Sequence, residues 1–106
     1  MQFSDLSEIK ERELIPGFHG RVIHTDSMTF VYWLIDKGAP LPEHSHPHEQ
    51  VAHVFEGQFE LTIDGETRTL EPETVAAIPG NAIHSGKAIT QCRILDVFSP
   101  VREDYR

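Results

Sequence analysis

Along most of this chain, apolar and polar side chains alternate in short runs, and residues that favour turns separate the runs. Period-two alternation marks a strand with one face against a core, because successive side chains leave opposite faces of the backbone. Gly20 to His24 and Met28 to Asp36 read as strands parted by Thr25-Asp26-Ser27. The second holds the β-branched and aromatic run Thr29-Phe30-Val31-Tyr32-Trp33, which suits a pleated, half-buried surface. Lys37 to Pro42, with Gly38, Pro40 and Pro42, reads as a loop. Gln50 to Glu56 and Gln58 to Ile63 are the next strands, and Gly57 permits a bend or bulge between them. Asp64-Gly65 is a hairpin turn signal. Thr67 to Leu70, Thr74 to Ile78, Lys87 to Ala88 and Thr90 to Phe98 complete the series. Only the first fifteen residues, through Leu6, Ile9 and Glu13, are spaced as a helix would be. Many short strands at close spacing predict an all-β sandwich or barrel. With no repeat, low-complexity tract or linker-like shift, residues 1–106 are read as one domain, its barrel core spanning about 20–100.

Charge narrows the partners. Nine Lys and Arg against 17 Asp and Glu give −8 with histidine neutral. That balance disfavours nucleic acid, whose affinity comes mainly from phosphate neutralisation, and disfavours an anionic membrane surface. The longest apolar run, Phe30 to Ile35, is too short to cross a bilayer, and Met1 to Glu13 lacks the apolar centre of a secretory signal. Cys92 is the one cysteine, so no internal disulfide forms and the cytoplasm is the expected compartment. The edges of a small sandwich need covering, so a homodimer is expected, with the first fifteen residues either packed on the partner or free.

The histidines change the picture most. Four of the seven, His44, His46, His48 and His53, fall within ten residues. On an extended chain His44 and His46 project from one face, where both imidazoles can meet one metal ion. Gln50 offers a neutral amide oxygen four residues after His46, and His84 can join from another strand. An isolated His-x-His pair is equally a solvated polar loop. Glu49 lies three residues from His46, while His48 and His53 read as structural or rim residues. If Gln50 points inward, strict alternation places His53 on the opposite face. Asp96 stands inside the apolar run Thr90 to Phe98, and parity groups it with Cys92, Ile94 and Phe98. A buried carboxylate is costly unless paired. It either faces a metal, which would keep it ionised, or bonds the backbone, Arg93 or Arg102.

The segment GAPLPEHSHPHEQVAHVFEG resembles the first motif of the cupins: Gly38 stands six positions before His44, His46 follows after one residue, and Gly57 closes the motif. IPGNAIH resembles the second motif through Pro79 and His84, although Glu73 and Asn81 stand where that motif has glycine and Ala88 where it has asparagine. The resemblance implies a small jelly-roll barrel with a metal inside. HSHPHEQ, IPGNAIH and LDVFSPVREDY together look like the pectin-degradation cupins called KdgF. Carried over residue by residue, that resemblance makes His44, His46, Gln50 and His84 ligands of one divalent transition metal ion (Ni, Zn, Fe or Mn). Asp96 becomes the acid/base, and Phe98 and Arg102 line the substrate site. It implies an enzyme that opens the ring of 4,5-unsaturated monouronates to linear 4-deoxy-5-keto uronates. Three neutral imidazoles and a neutral amide leave the full +2 charge on the ion, which favours an anionic sugar acid and Lewis-acid chemistry. A guanidinium such as Arg102 can grip a carboxylate through two parallel hydrogen bonds, or can pair with Glu103 or Asp104 on a solvated tail. The competing readings are a cupin dioxygenase with a redox metal and a metal- or sugar-binding cupin without turnover.

Overall fold

Thr29–Ile35, the clearest alternating segment, forms a strand whose residues Thr29, Val31, Trp33 and Ile35 are buried while Phe30, Tyr32 and Leu34 face outward. It is the third of ten strands in a computed structural model that describes residues 2–106. In chain order the strands are β1 (Arg12–Ile15), β2 (Phe18–His24), β3 (Thr29–Ile35), β4 (Pro40–His44) and β5 (Glu49–Glu56). They continue with β6 (Phe59–Ile63), β7 (Glu66–Leu70), β8 (Val75–Ile78), β9 (His84–Ala88) and β10 (Cys92–Ser99). All pairings are antiparallel. One sheet runs β1-β2-β3-β10-β5-β8 and the other β4-β9-β6-β7. The two enclose a core whose most buried members include Val31, Val54, Ile35, Ile78, Cys92 and Phe98. This all-β, two-sheet barrel is the expected fold class. Among the described residues, no helix is long and apolar enough to cross a membrane.

Local chemistry explains several turns. Asp64 (φ 47°) and Gly65 (φ 85°) make the tight turn between β6 and β7, as a two-residue Asp-Gly hairpin should. Gly57 adopts φ 89°, and a Cβ there would collide with the Gln91 carbonyl, so the bend between β5 and β6 needs glycine. Glu73 (φ 71°) and Asn81 (φ 67°), which stand where the second cupin motif has glycine, both adopt the left-handed backbone that glycine takes freely. Asn81 is among the residues that tolerate this conformation, and its N–H bonds the His46 carbonyl at 2.7 Å.

Three expectations need correction. Among the described residues, 2–15 hold a single 3-10 turn at Leu6–Glu8, capped by the Asp5 carboxylate, and then strand β1. Arg21 Nε bonds the Ile9 carbonyl at 3.1 Å, so the segment is tied to β2 across the sheet edge and gains nothing from helical spacing. The Lys37–Pro42 loop is shorter than read: β4 starts at Pro40. Proline lacks a ladder donor but is tolerated on an edge strand, and β4 is the edge of its sheet. Lastly, β9 begins at His84 rather than Lys87, because Ser85 and Gly86 pair with Thr62 and Leu61 of β6. Gly86 leaves the room: a Cβ there would lie 2.5 Å from the Phe59 ring.

Candidate metal centre and adjoining pocket

Where β4 meets β9, His44 and His84 are direct cross-strand partners, and their ring centroids stand 4.1 Å apart. His46, in the link to β5, brings its ring within 4.9 Å of His84. The Asn81–His46 backbone bond presses that link against the loop before β9, and a Cβ on Gly80 would sit 2.6 Å from the Pro47 carbonyl. Each imidazole has its Nδ1 at a backbone carbonyl: His44 at Pro42 (2.7 Å), His46 at His48 (3.0 Å) and His84 at Ala82 (2.9 Å). A carbonyl only accepts, so each Nδ1 donates and each Nε2 keeps its lone pair, the form a metal ligand requires. One nitrogen from each of the three rings lies within 4.8 Å of the others.

Two further observations fit a cation there. His84 Nε2 is buried and has no hydrogen-bond partner, a costly arrangement for a lone pair that nothing uses. Gln50 Oε1 lies 3.1 Å from His46 Nε2 and adds a neutral oxygen beside the cluster. The three imidazoles form the group that could hold an ion, with the Gln50 amide oxygen at its edge. His46 and His84 are both held below the ordinary imidazole pKa, chiefly by burial, with the Arg102 charge and a neighbouring imidazole adding to it. Neutral rings are thereby favoured at neutral pH.

A cavity of about 330 Å³ opens beside the cluster, and His44, Gln50, Asp96, Phe98 and Arg102 all line it. Asp96 and Phe98 point inward from β10, one face shared with Cys92 and Ile94 as parity requires. The Asp96 carboxylate accepts one hydrogen bond, from Trp33 Nε1 to Oδ2 at 2.9 Å, while Oδ1 is buried without a partner. Burial pushes its pKa up to about 6, opposed by the Gln50 amide, the Trp33 N–H and the Arg102 charge. Neither the backbone nor an arginine bonds it. Trp33 reaches that position only because Gly20 lies beneath it: a Cβ at Gly20 would come within 2.9 Å of the indole.

Arg102 pairs with Asp104, one of the partners the sequence offered, but from the cavity wall and not from a solvated tail. Its side chain is 11% exposed and lines the cavity, while Nε and Nη2 grip the Asp104 carboxylate at 3.2 and 2.6 Å. Its guanidinium lies 4.8 Å from the Phe98 ring centre and 4.1 Å from that of Tyr105, which fixes the plane of the fork. Tyr105 is a wall the sequence reading missed. Its ring meets Trp33 and Phe98 edge-on, and Arg12 holds its carbonyl at 2.7 Å. Trp33 was equally missed as a partner of Asp96, since an indole in a strand looks like core. His48 bonds the Val101 carbonyl at 3.2 Å and supports the segment that carries Arg102. His53 lies on the outer face against Phe55.

A two-sheet antiparallel barrel that gathers histidines from two neighbouring strands and the link that follows one of them has the architecture of a cupin. Residues 31–98 match the Cupin domain family. The pectin degradation protein KdgF of Dickeya dadantii (strain 3937) is 33% identical over 96 residues, covering 88% of this chain and 87% of its own. The chain belongs to the cupins, as a small single-domain member of the KdgF type. Among solved structures, KdgF from Halomonas sp. superposes with a TM-score of 0.93 at 29% identity, covering 100% of this chain and 99% of that one. An RmlC-like cupin from Shewanella frigidimarina gives 0.94 at 28%, covering 100% and 96%. Ectoine synthase from P. lautus, at 22% identity and 0.86, covering 99% and 82%, shares the fold.

Proposed function

We propose that this protein opens the ring of 4,5-unsaturated monouronates, the products of pectin or alginate lyases, to linear 4-deoxy-5-keto uronates. The observation that carries the reading is one cavity lined by His44 of the histidine group, the Gln50 amide, a buried carboxyl at Asp96 and a guanidinium at Arg102. The likeness to a protein named for pectin degradation supports it. His44, His46, His84 and Gln50 would hold the divalent metal ion. When bound, that ion supplies Lewis-acid polarisation of a substrate oxygen.

The reaction is an isomerisation. The anomeric hydroxyl loses a proton, the bond from the anomeric carbon to the ring oxygen breaks, and the alkene carbon beside the former enol ether gains a proton. No water or electron is consumed. Asp96 is the group that moves the proton, since its pKa near 6 lets the carboxyl both accept and return one close to neutrality. Arg102 receives the uronate carboxylate on the edge that Asp104 leaves free, and Phe98 closes the apolar side. The cytoplasm, where a lyase product would be consumed after uptake, is the proposed compartment.

The test is ultraviolet absorbance of freshly released 4,5-unsaturated galacturonate, whose conjugated double bond disappears on opening. Metal-loaded protein should speed the decay well beyond both spontaneous opening and metal-stripped protein. No acceleration with nickel, zinc, iron or manganese would overturn the reading, and a rate that required oxygen would replace it with an oxygenase.

A further inference from the structure

Past the end of β10 no ladder serves the chain, and Val101 and Arg102 follow before the closing 3-10 turn at Glu103–Tyr105. A peptide group that leaves a sheet must find other partners for its N–H and C=O. Among the described residues, neither the Val101 carbonyl nor the Arg102 amide has a backbone partner. The two belong to one peptide unit, and side chains from two distant segments hold it at both polar atoms. His48 Nε2 donates to the Val101 carbonyl at 3.2 Å, and the Arg102 N–H donates to Thr29 Oγ1 at 2.8 Å.

Core packing explains neither holder. Thr29 is wholly buried on the inward face of β3, where the other members are Val31, Trp33 and Ile35. A hydroxyl is costly there without partners, and a valine would fill the same space. The Thr29 hydroxyl accepts from the Arg102 amide and lies 2.8 Å from His24 Nδ1, so it can donate and accept at once. His48 stands beside His46 in the chain, yet its ring is outside the group of three that could hold an ion. Its Nδ1 is buried without a partner, and the bond to Val101 is the one its ring makes.

We propose that Thr29 and His48 are positioning residues, which clamp the Val101–Arg102 peptide and so aim the Arg102 guanidinium at the carboxylate of a bound sugar acid. This rests on the ring-opening reading only in taking Arg102 as the group that meets the carboxylate. A guanidinium stands at the end of a long stem, so a small rotation at its Cα displaces it from a productive geometry. Asp104, Phe98 and Tyr105 hold the far end of that stem, but Asp104 and Tyr105 lie in the same terminal segment and move with it. Arg12 ties the segment to the barrel at Tyr105, whereas Thr29 and His48 tie it at Arg102 itself. His48 also joins the two halves of the site. Its backbone carbonyl receives His46 Nδ1 at 3.0 Å, so one residue links the histidine cluster to the guanidinium.

The test pairs steady-state ring opening of 4,5-unsaturated galacturonate with calorimetric binding of galacturonate, which lacks the alkene, both on metal-loaded protein. Thr29→Val keeps the shape and removes the hydroxyl. KM and the galacturonate Kd should rise about tenfold while kcat changes less than about threefold. Thr29→Ser, which returns the hydroxyl, should restore both. His48→Phe removes one hydrogen bond and keeps the carbonyl that His46 uses, so it should repeat the split with nickel or zinc still bound. His48→Gln, whose amide N–H reaches the Nε2 position, should rescue it. If Thr29→Val does not fold, the His48 pair reads the same clamp from its other side. A contact that only stabilised the fold would lower the melting temperature and leave KM and Kd unmoved, and that result would overturn the proposal. So would a kcat loss as large as the KM gain, or a wild type that binds no galacturonate. A wild type that binds galacturonate but opens no ring would overturn the ring-opening reading alone, and the Kd ratios would still decide the clamp.

Discussion

Replacing Asp96 by Asn separates what this carboxyl costs the fold from what it does for the reaction. Asparagine keeps an oxygen for the Trp33 N–H but cannot ionise. In the folded chain burial lifts the Asp96 pKa from the ordinary 3.8 to about 6. The folded state therefore binds its proton more tightly than the unfolded state does. Its stability is greatest below pH 3.8 and is lost as the pH rises through 6. Roughly two pH units at about 1.4 kcal/mol each amount to a penalty of about 3 kcal/mol at pH 8, falling to about half at pH 5. Asp96→Asn should recover that difference. In metal-stripped protein, which removes the field of any cation, it should raise the melting temperature at pH 8 by on the order of 10 °C or more. The gain should shrink at pH 5. Circular dichroism melts of both proteins across this range measure it directly. The same variant should lose roughly 10²–10⁴-fold in ring opening with metal binding retained. A stability difference of the same size at pH 5 and pH 8 would refute the argument that a buried, unpaired carboxylate is what strains this site.

Four other outcomes follow from the structure. Arg102→Lys loses the planar fork and its contact with the Phe98 and Tyr105 rings, so KM should rise at least tenfold with kcat changed less; steady-state kinetics would show the split. His46 and His84 have depressed pKa values, so the unfolded chain binds more protons at these sites below about pH 6.5, and their contribution to stability is lost as the pH falls. Adding nickel or zinc to the stripped protein at pH 7.5 should raise its melting temperature, and the increment should vanish in His84→Ala. Gly20→Ala drives a methyl into the Trp33 indole, which should cost about 1–3 kcal/mol in urea denaturation and lower kcat by displacing the Asp96 hydrogen bond.

The sequence was most legible where one face of a strand meets the core. Alternation in Thr29–Ile35 and the parity of Cys92, Ile94, Asp96 and Phe98 translate directly into buried positions. The spacing of His44 and His46 signalled a shared face for two of the three clustered rings, and His84 was open as a third from another strand before the motif resemblance supported it. Local turn chemistry was readable at Asp64-Gly65, where two positive φ values suit those residues. Edge strands were harder. Pro40 and Pro42 look like loop residues until it is known that β4 is an edge and needs no ladder donor there. Tyr105 and Trp33 escaped notice for a different reason. Their roles depend on long-range partners, Trp33 with Asp96 and Tyr105 with Arg12, Phe98 and Arg102, and no local pattern encodes such pairs. The pairing of Arg102 with Asp104 was legible as a local contact, whereas its place on the cavity wall depends on the distant Phe98 ring and on Tyr105.

The central claim is that Asp96, on one wall of the cavity, moves the proton during ring opening. Proton magnetic resonance of the product formed in D₂O by metal-loaded protein tests it most directly, read at early times before exchange scrambles the label. The account predicts one deuteron at the former alkene carbon, added from a single face, and loss of both the acceleration and that facial preference in Asp96→Asn. Equal labelling of both faces by the wild-type protein would mean that the proton arrives from solution, and would contradict the account.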